Sequence, residues 1–220
     1  DPEKATKVDL SYNINSEVVN LFVNGYLNYT TDYISQVTKM DGERLITTYA
    51  NADSDLKTGV ELSLKVTPAK WVNFSVSANT YYVTTEGIFK GTHIDNNGWT
   101  NNSNLMFNFI PWKGGDIQVQ YFVTTPQYYP QLTTSLTHQM NIGIKQRLLK
   151  SAMTVSVLVT DVLNTAKWEV WSHNNLFDLM NSSKNKSRML WLGVSYNFNS
   201  FKQKGGQKTE TNRSLIRLGM

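Results

Sequence analysis

The chain has 220 residues, no cysteine and a formal net charge of +4. The lack of cysteine excludes disulfide scaffolds, thiolate metal sites and cysteine nucleophiles, and no stretch approaches the roughly 18 consecutive apolar residues that a membrane helix requires. Charged residues make up 17% of the chain, below the roughly 25% of soluble domains. Uncharged polar residues, mainly Asn, Thr, Ser, Gln and Tyr, take their place.

Apolar and polar residues alternate with a period of two along most of the chain, which is typical of strands that have one apolar face. Residues 57–66 and 72–79 show the pattern on both sides of a short turn at 68–70, which predicts a hairpin. No helical period competes with this pattern before the C-terminal tail. The alternation predicts nine strands, at residues 5–15, 17–39, 44–67, 71–86, 100–111, 116–126, 134–149, 152–165 and 187–199.

The segments between the strands fall into two classes of length. Tight turns at 15–16, 68–70, 111–115 and 149–151 alternate with longer segments at 87–99, 127–133 and 166–186; a further short turn at 40–43 lies between long strands. Short turns at one rim and long loops at the other are the layout of an outer-membrane barrel. Aromatic residues cluster towards both rims, as expected for two interfacial girdles.

Hydrocarbon offers no hydrogen bonds, so strands that cross it must be paired on both sides in a closed sheet. We therefore predict an all-β fold: residues 1–199 form an antiparallel transmembrane β-barrel segment with an apolar outer face and a polar inner face. Residues 200–220 carry five basic residues against one acidic residue, the whole net charge. We interpret them as a solvated, basic periplasmic tail rather than a nucleic-acid-binding one.

Several motifs resemble the late barrel of TonB-dependent outer-membrane receptors of the Bacteroidetes type. They are Asn51-Ala52-Asp53 followed by Gly59-Val60-Glu61-Leu62 and Trp71, then Val159-Thr160-Asp161-Val162-Leu163-Asn164-Thr165, and finally Tyr196-Asn197-Phe198. Each motif alone is loose, but their order holds across some 150 residues. The resemblance implies a 22-stranded barrel in the bacterial outer membrane, plugged by an N-terminal domain and energised through TonB.

The chain departs from that family in length, because it has room for only nine or so strands and contains no plug. We expect it to be the C-terminal barrel portion of a nutrient receptor. Its partners would be outer-membrane lipid, the plug, the remaining strands and TonB. The strands near residues 8–14 and 190–198 are then both edges of the sheet. A complete bacterial barrel has an even strand count, and the predicted count is odd.

Two other functions are compatible with the pattern. One is a small, self-contained outer-membrane barrel that acts as an adhesin or structural protein. The other is a soluble carbohydrate-binding β-domain, which would need an apolar core between its layers.

We expect no catalysis, metal or cofactor. His93, His138 and His173 are too far apart in sequence to suggest a metal site, and His93 near Asp95 or His173 near Asp178 fits solvated loops. Exposed aromatic side chains in the long loops can stack on sugars or apolar ligands. They can equally pack loop against loop. The candidate substrate-binding residues are Trp99, Tyr128, Tyr129, Trp168, Trp171 and Phe177.

Overall fold

The computed structural model describes the backbone of residues 1–174 and 177–198, and the side chains of all of these except 173, 174 and 177. The predicted tail at 200–220 lies outside the described residues. The strands are β1 (Lys4–Asn15), β2 (Val19–Asp41), β3 (Arg44–Ala69), β4 (Val72–Glu86), β5 (Ile88–Phe89), β6 (Thr92–His93), β7 (Asn96–Phe109), β8 (Gly115–Thr124), β9 (Tyr128–Tyr129), β10 (Leu132–Thr134), β11 (Thr137–Leu148), β12 (Met153–Thr160), β13 (Trp168–Asn174), β14 (Phe177–Ser183) and β15 (Met189–Tyr196).

Nine of these strands form one antiparallel sheet in the order β1-β2-β3-β4-β7-β8-β11-β12-β15. They correspond one to one with the nine predicted strands, so the predicted all-β antiparallel fold is confirmed. Within the described part of the chain, the only helix is a single 3₁₀ turn at Leu149–Ser151, and no helix is long and apolar enough to cross a membrane.

The two largest differences from the predicted strand boundaries are in β12 and β7. Strand β12 ends at Thr160 rather than at 165, because Asp161 has a positive φ of 44° and turns the chain away from the sheet. Strand β7 begins at Asn96 rather than at 100, because residues 96–99 continue the ladder with β4.

The long segments predicted as loops contain secondary structure of their own. Strands β5 and β6 form a small hairpin, and β14-β13-β10-β9 form a four-stranded sheet, called the loop sheet below. These strands have two to seven residues, which is too short for alternation to be recognisable.

One face of the nine-stranded sheet, the outer face, is apolar across the sheet. Side chains that are direct cross-strand partners share a face, and one such row crosses eight strands without a charged or amide side chain. The row consists of Val19, Val66, Phe74, Phe107, Val119, Ile142, Val159 and Leu190.

The opposite, inner face is polar along the same strands. A row of partners crosses six of them with Asn24, Glu61, Asn79, Asn102, Thr124 and Thr137. The register therefore sorts the alternation predicted from sequence onto two continuous surfaces.

The apolar outer face is not covered by other described parts of the chain. Leu10 is 82% exposed, Phe107 43% and Leu192 75%, and only six apolar residues among those described are buried. A soluble monomer rarely exposes an apolar surface of this extent. A soluble β-domain would need a second layer that covers this apolar face, and the described residues contain no such layer. The outer face is instead suited to contact with hydrocarbon.

Two aromatic pairs mark the ends of the apolar band. Trp71 and Phe109 meet edge to face near the short turns, with ring centroids 5.7 Å apart, and Tyr82 and Trp99 do so near the long loops, at 5.5 Å. Ten residue steps separate Phe109 from Trp99 along β7. At about 3.3 Å per residue and a tilt of about 40°, these steps cover about 25 Å, the height of a barrel's apolar band.

Strands β1 and β15 each pair on one side only among the described residues, so they are the two edges of the sheet. This confirms the prediction that the strands near residues 8–14 and 190–198 are edges.

The assignment of faces predicts how strongly a new charge destabilises the protein. Val76→Arg and Val157→Arg place a charge on the outer face and should each lower the free energy of unfolding in lipid vesicles by about 2–4 kcal/mol. Ser75→Arg and Ser156→Arg, one residue away on the inner face, should lower it much less. Urea titrations of the four variants measure the difference, and equal losses within each pair would contradict the assignment.

Candidate functional site

The inner face contains a polar recess of about 420 Å³ between β1, β2, β3, β4 and β7, called the inner recess below. Its lining is Lys7, Asp9, Asn24, Tyr26, Asn28, Lys57, Glu61, Asn79, Tyr81 and Asn102. Two lysines and two acids balance in charge, and four asparagines supply both donors and acceptors. Such a surface suits a neutral, polar ligand.

A glycine allows two tyrosines to lie against the floor of the inner recess. Gly59 is the cross-strand partner of both Tyr26 and Tyr81. A Cβ at this position would lie 2.5 Å from the Tyr81 Cβ and 2.9 Å from the Tyr26 hydroxyl. The Tyr26 hydroxyl donates a 2.9 Å hydrogen bond to Asn79 Oδ1, which fixes its ring. Glycine is therefore required for this aromatic floor.

A buried carboxylate stands at the upper end of the inner recess, towards the long loops. Asp55 is 4% exposed. Its Oδ1 accepts a 2.7 Å hydrogen bond from the Thr85 hydroxyl, and its Oδ2 lies 2.9 Å from the Lys57 ammonium. The same ammonium lies 5.6 Å from the centroid of the Tyr33 ring. Both charges are thus paired, and Lys57 is held over the recess.

The loop sheet is fastened to the main sheet above the inner recess. The Gln131 side chain accepts a 2.6 Å hydrogen bond from the Thr38 backbone N–H and donates one of 3.1 Å to the Thr38 carbonyl, as a neighbouring strand would. The Tyr128 ring lies against Gly98, where an added Cβ would come within 2.2 Å of it. Asn96 Nδ2 donates to the Tyr129 carbonyl at 2.7 Å. These contacts hold the loop sheet at the long-loop end of the inner face.

The structure places five of the six predicted substrate-binding residues on the loop sheet. Tyr128 and Trp171 share one face of it, because both are cross-strand partners of Thr133, and Met180 is the next partner of Trp171. Trp171 and Met180 remain exposed, whereas Tyr128 is packed on β7.

The other candidates do not join that face. By strand alternation, Tyr129 and Trp168 lie on the opposite face of the loop sheet. Phe177 begins β14, and its side chain lies outside the described residues. Trp99 is on the outer face of the main sheet against Tyr82. The role of all six in binding substrate stays a prediction.

Sequence reasoning missed the residues of the inner recess, although one signal was present. Gly59 interrupts an otherwise regular strand pattern, and a glycine within a strand often marks a close approach by another group. Here the approaching groups are the Tyr81 Cβ, the Thr80 carbonyl oxygen and the Tyr26 hydroxyl.

The hairpin of β2 and β3 extends beyond its neighbours. These strands have 23 and 26 residues, against the 9–11 or so that cross a membrane, and β1 pairs with β2 only as far as Thr31. The projecting part is stabilised by a small core in which Val37, Ala52 and Ile94 are almost fully buried. Phe89 of β5 and Ile94, just after β6, belong to this core. The β5–β6 hairpin therefore packs against the projecting part of β2 and β3 and stabilises it.

A buried aspartate organises the turn that follows β12. Asp161 Oδ1 accepts a 2.9 Å hydrogen bond from the Thr165 N–H, and Oδ2 accepts one of 3.2 Å from the Ala166 N–H and another from the Ser187 hydroxyl. Burial disfavours the ionised carboxyl, but these three donors outweigh it and hold the pKa of Asp161 below its ordinary value. This network is structural: it connects the start of the last long loop to its end.

The lowered pKa of Asp161 predicts a pH dependence of stability. A carboxyl whose pKa is lower in the folded protein stabilises it above the unfolded value of about 3.9, and this contribution is lost as pH falls through the folded pKa. Asp161→Asn should therefore lower the free energy of unfolding by about 1–3 kcal/mol at pH 7, with a smaller difference from the wild type below about pH 4.

Urea unfolding in detergent micelles from pH 7 to pH 3 measures this difference. Asp53→Asn, at an exposed position, is the matched control and should change little at any pH. An Asp161→Asn difference that stays constant over the whole range would contradict the assigned ionisation.

The described residues hold no group of three or more His, Asp or Glu side chains that could bind a metal ion. His93 Nδ1 lies 3.4 Å from Asp95 Oδ2, and both side chains are well exposed. His173 and Asp178 are cross-strand partners in the loop sheet, and the His173 side chain lies outside the described residues.

Comparison with known families agrees with this architecture. The outer membrane protein beta-barrel family matches residues 1–196, which is nearly the whole chain. The chain therefore belongs to the outer membrane protein β-barrel family, and its location is the bacterial outer membrane. No curated protein and no solved structure matches it.

Proposed function

We propose that this chain is the C-terminal barrel portion of a TonB-dependent receptor that takes up a nutrient across the outer membrane. The observation that carries the proposal is the open nine-stranded sheet with a continuous polar inner face. Unpaired strand edges in hydrocarbon cost several kcal/mol for each backbone group. Further strands, up to the 22 of these receptors, would pair both edges and widen the lumen, since barrel diameter grows with strand number.

The proposed partners follow from the surfaces of the sheet. Outer-membrane lipid covers the outer face, and the N-terminal plug of the parent receptor lies against the inner face and connects to TonB.

The solute passes through the inner recess without being chemically changed. Its path begins under the loop sheet, where Trp171 and Met180 are exposed, and continues to the tyrosine floor at Gly59. The balanced charges and the amides of the inner recess favour a neutral solute rich in hydrogen-bonding groups. Passage of a solute by such contacts needs no catalytic residue.

A second candidate function is an adhesin or structural barrel, and the projecting β2–β3 hairpin favours it. Its exposed apolar side chains include Tyr49, at 69% exposure, together with Met40 and Leu45. An apolar surface held away from the membrane could contact another cell or another protein.

Transport through the inner recess is tested by obstructing it. A strain that lacks the protein is grown on a panel of nutrients, each limiting in turn, and is complemented with the wild type, Asn79→Trp or Val76→Trp. The Asn79 side chain faces the recess and Val76 faces lipid three residues away. We expect the wild type and Val76→Trp to restore growth on at least one nutrient, and Asn79→Trp to fail at equal abundance in the membrane.

Depletion of TonB should abolish the rescue by the wild type. Equal growth with and without the protein on every nutrient, together with unchanged growth on TonB depletion, would contradict transport. Loss of cell adhesion in that strain would then favour the adhesin.

A further inference from the structure

The apolar band of the outer face contains a patch of polar side chains near its long-loop end. Thr80 and Asn101 are cross-strand partners there, and Ser103 lies two residues below Asn101 on β7. Trp99 lies above them and Leu105 below, on the same face. Polar groups that face hydrocarbon raise the free energy of the folded protein unless they are hydrogen-bonded. The position of these side chains therefore raises the question of what they bind.

The three side chains satisfy one another only in part. Asn101 Nδ2 donates a 2.6 Å hydrogen bond to the Thr80 hydroxyl, and the Ser103 hydroxyl donates one of 2.7 Å to Asn101 Oδ1. The second N–H of the Asn101 amide and the hydroxyl hydrogen of Thr80 donate to no side chain or backbone group of the described residues. The cluster therefore offers donors to a molecule on the lipid side.

A second polar pair borders the cluster. A 3.0 Å hydrogen bond joins the Tyr121 hydroxyl and His138 Nδ1, and the two rings meet edge to face at 5.8 Å. Tyr121 is the cross-strand partner of Leu105, and the partner of His138 is Val123, which in turn is the partner of Ser103. We call Thr80, Asn101, Ser103, Tyr121 and His138 together the outer polar cluster.

An apolar groove of about 410 Å³ begins at this cluster and runs towards the short turns. Phe74, Leu105, Phe107, Val119 and Tyr121 line it, and Pro68 and Val72 lie at its lower end. Since the outer face contacts hydrocarbon, an acyl chain is the natural occupant of such a groove.

The depth of the cluster identifies the part of a lipid that would reach it. Asn101 is two residues from Trp99, which is about 5 Å of membrane height in a tilted strand. Trp99 marks the headgroup level, so the cluster lies where acyl chains join the headgroup. It contains no Lys, Arg, Asp or Glu, and thus fits an uncharged linkage rather than a phosphate.

We propose that the outer polar cluster and the groove below it form a binding site for one lipid of the outer leaflet. The acyl chain lies in the groove, and hydroxyl and amide groups at the root of the chain bond to Asn101, Thr80 and Ser103. At the depth of the cluster, a lipid with hydroxylated, amide-linked chains both donates and accepts hydrogen bonds, whereas the ester linkages of a phospholipid only accept them. This site is independent of whether the barrel transports a solute.

Native mass spectrometry of the protein, purified from outer membranes in a mild detergent, tests the site. Lipid A, which has amide-linked hydroxyacyl chains, and phosphatidylglycerol are titrated separately. We expect one tightly bound lipid A and weaker phosphatidylglycerol. Asn101→Leu and Leu105→Trp should each weaken lipid A binding about tenfold, the equivalent of one lost hydrogen bond or one obstructed groove.

Leu62→Trp is the matched control, because Leu62 lies on the outer face in the same row as Ser103 but two strands away. It should leave binding unchanged. The Asn101→Leu variant makes the lipid face more apolar, so we expect it to fold. Its folding is checked by comparing the gel mobility of heated and unheated samples in detergent. Equal binding of the two lipids, equal effects of Leu62→Trp and Leu105→Trp, or a co-purified protein in place of lipid would each overturn the proposal.

Discussion

The backbone of a strand in hydrocarbon must find all of its hydrogen bonds in other strands, and this constraint governs the whole structure. The nine long strands meet it by pairing each with its neighbour along the chain. Among the described residues, and leaving aside the projecting end of the β2–β3 hairpin, only the outward edges of β1 and β15 are without a partner strand. Everything proposed about the size of the barrel depends on what pairs with these two edges.

The same strand pairing separates apolar and polar side chains onto the two faces of the sheet. Because cross-strand partners share a face, one register places apolar rows outside and polar rows inside. The candidate functional sites are therefore few: the inner recess, the loop sheet at the long-loop end and the projecting β2–β3 hairpin. The outer polar cluster is an exception to the sorting, and the lipid site follows from it.

Much of the fold could be predicted from the sequence, because period-two alternation and turn length are local signals. They gave the nine strands, both edges and the two faces. The loop sheet could not be predicted, since strands of two or three residues such as β9 and β10 have no recognisable period. Its position depends on distant contacts, such as Gln131 with Thr38.

The sequence predicts the residue types of the candidate site but not their positions. The sequence indicates that aromatic residues in the long loops can contact a ligand, but the position of each residue in a strand decides which face its ring occupies. Trp99 belongs to a strand that begins at Asn96, and its ring faces outward beside Tyr82. Conversely, Asp55 and Lys57 resemble ordinary strand-end charges in sequence, and only the pairing of β3 with β4 brings Thr85 to the carboxylate.

The proposed receptor requires that β1 and β15 pair with other strands and not with each other. The natural lack of cysteine allows a direct measurement: cysteines at Leu10 and Val194 on the two edges, oxidised in outer membranes and followed by gel mobility. A control pair at Val8 and Leu27, cross-strand partners in β1 and β2, should bridge efficiently, since facing strands bring Cα atoms within disulfide reach. We expect no disulfide between Leu10→Cys and Val194→Cys. Efficient intramolecular bridging of that pair would mean a small closed barrel and would contradict it.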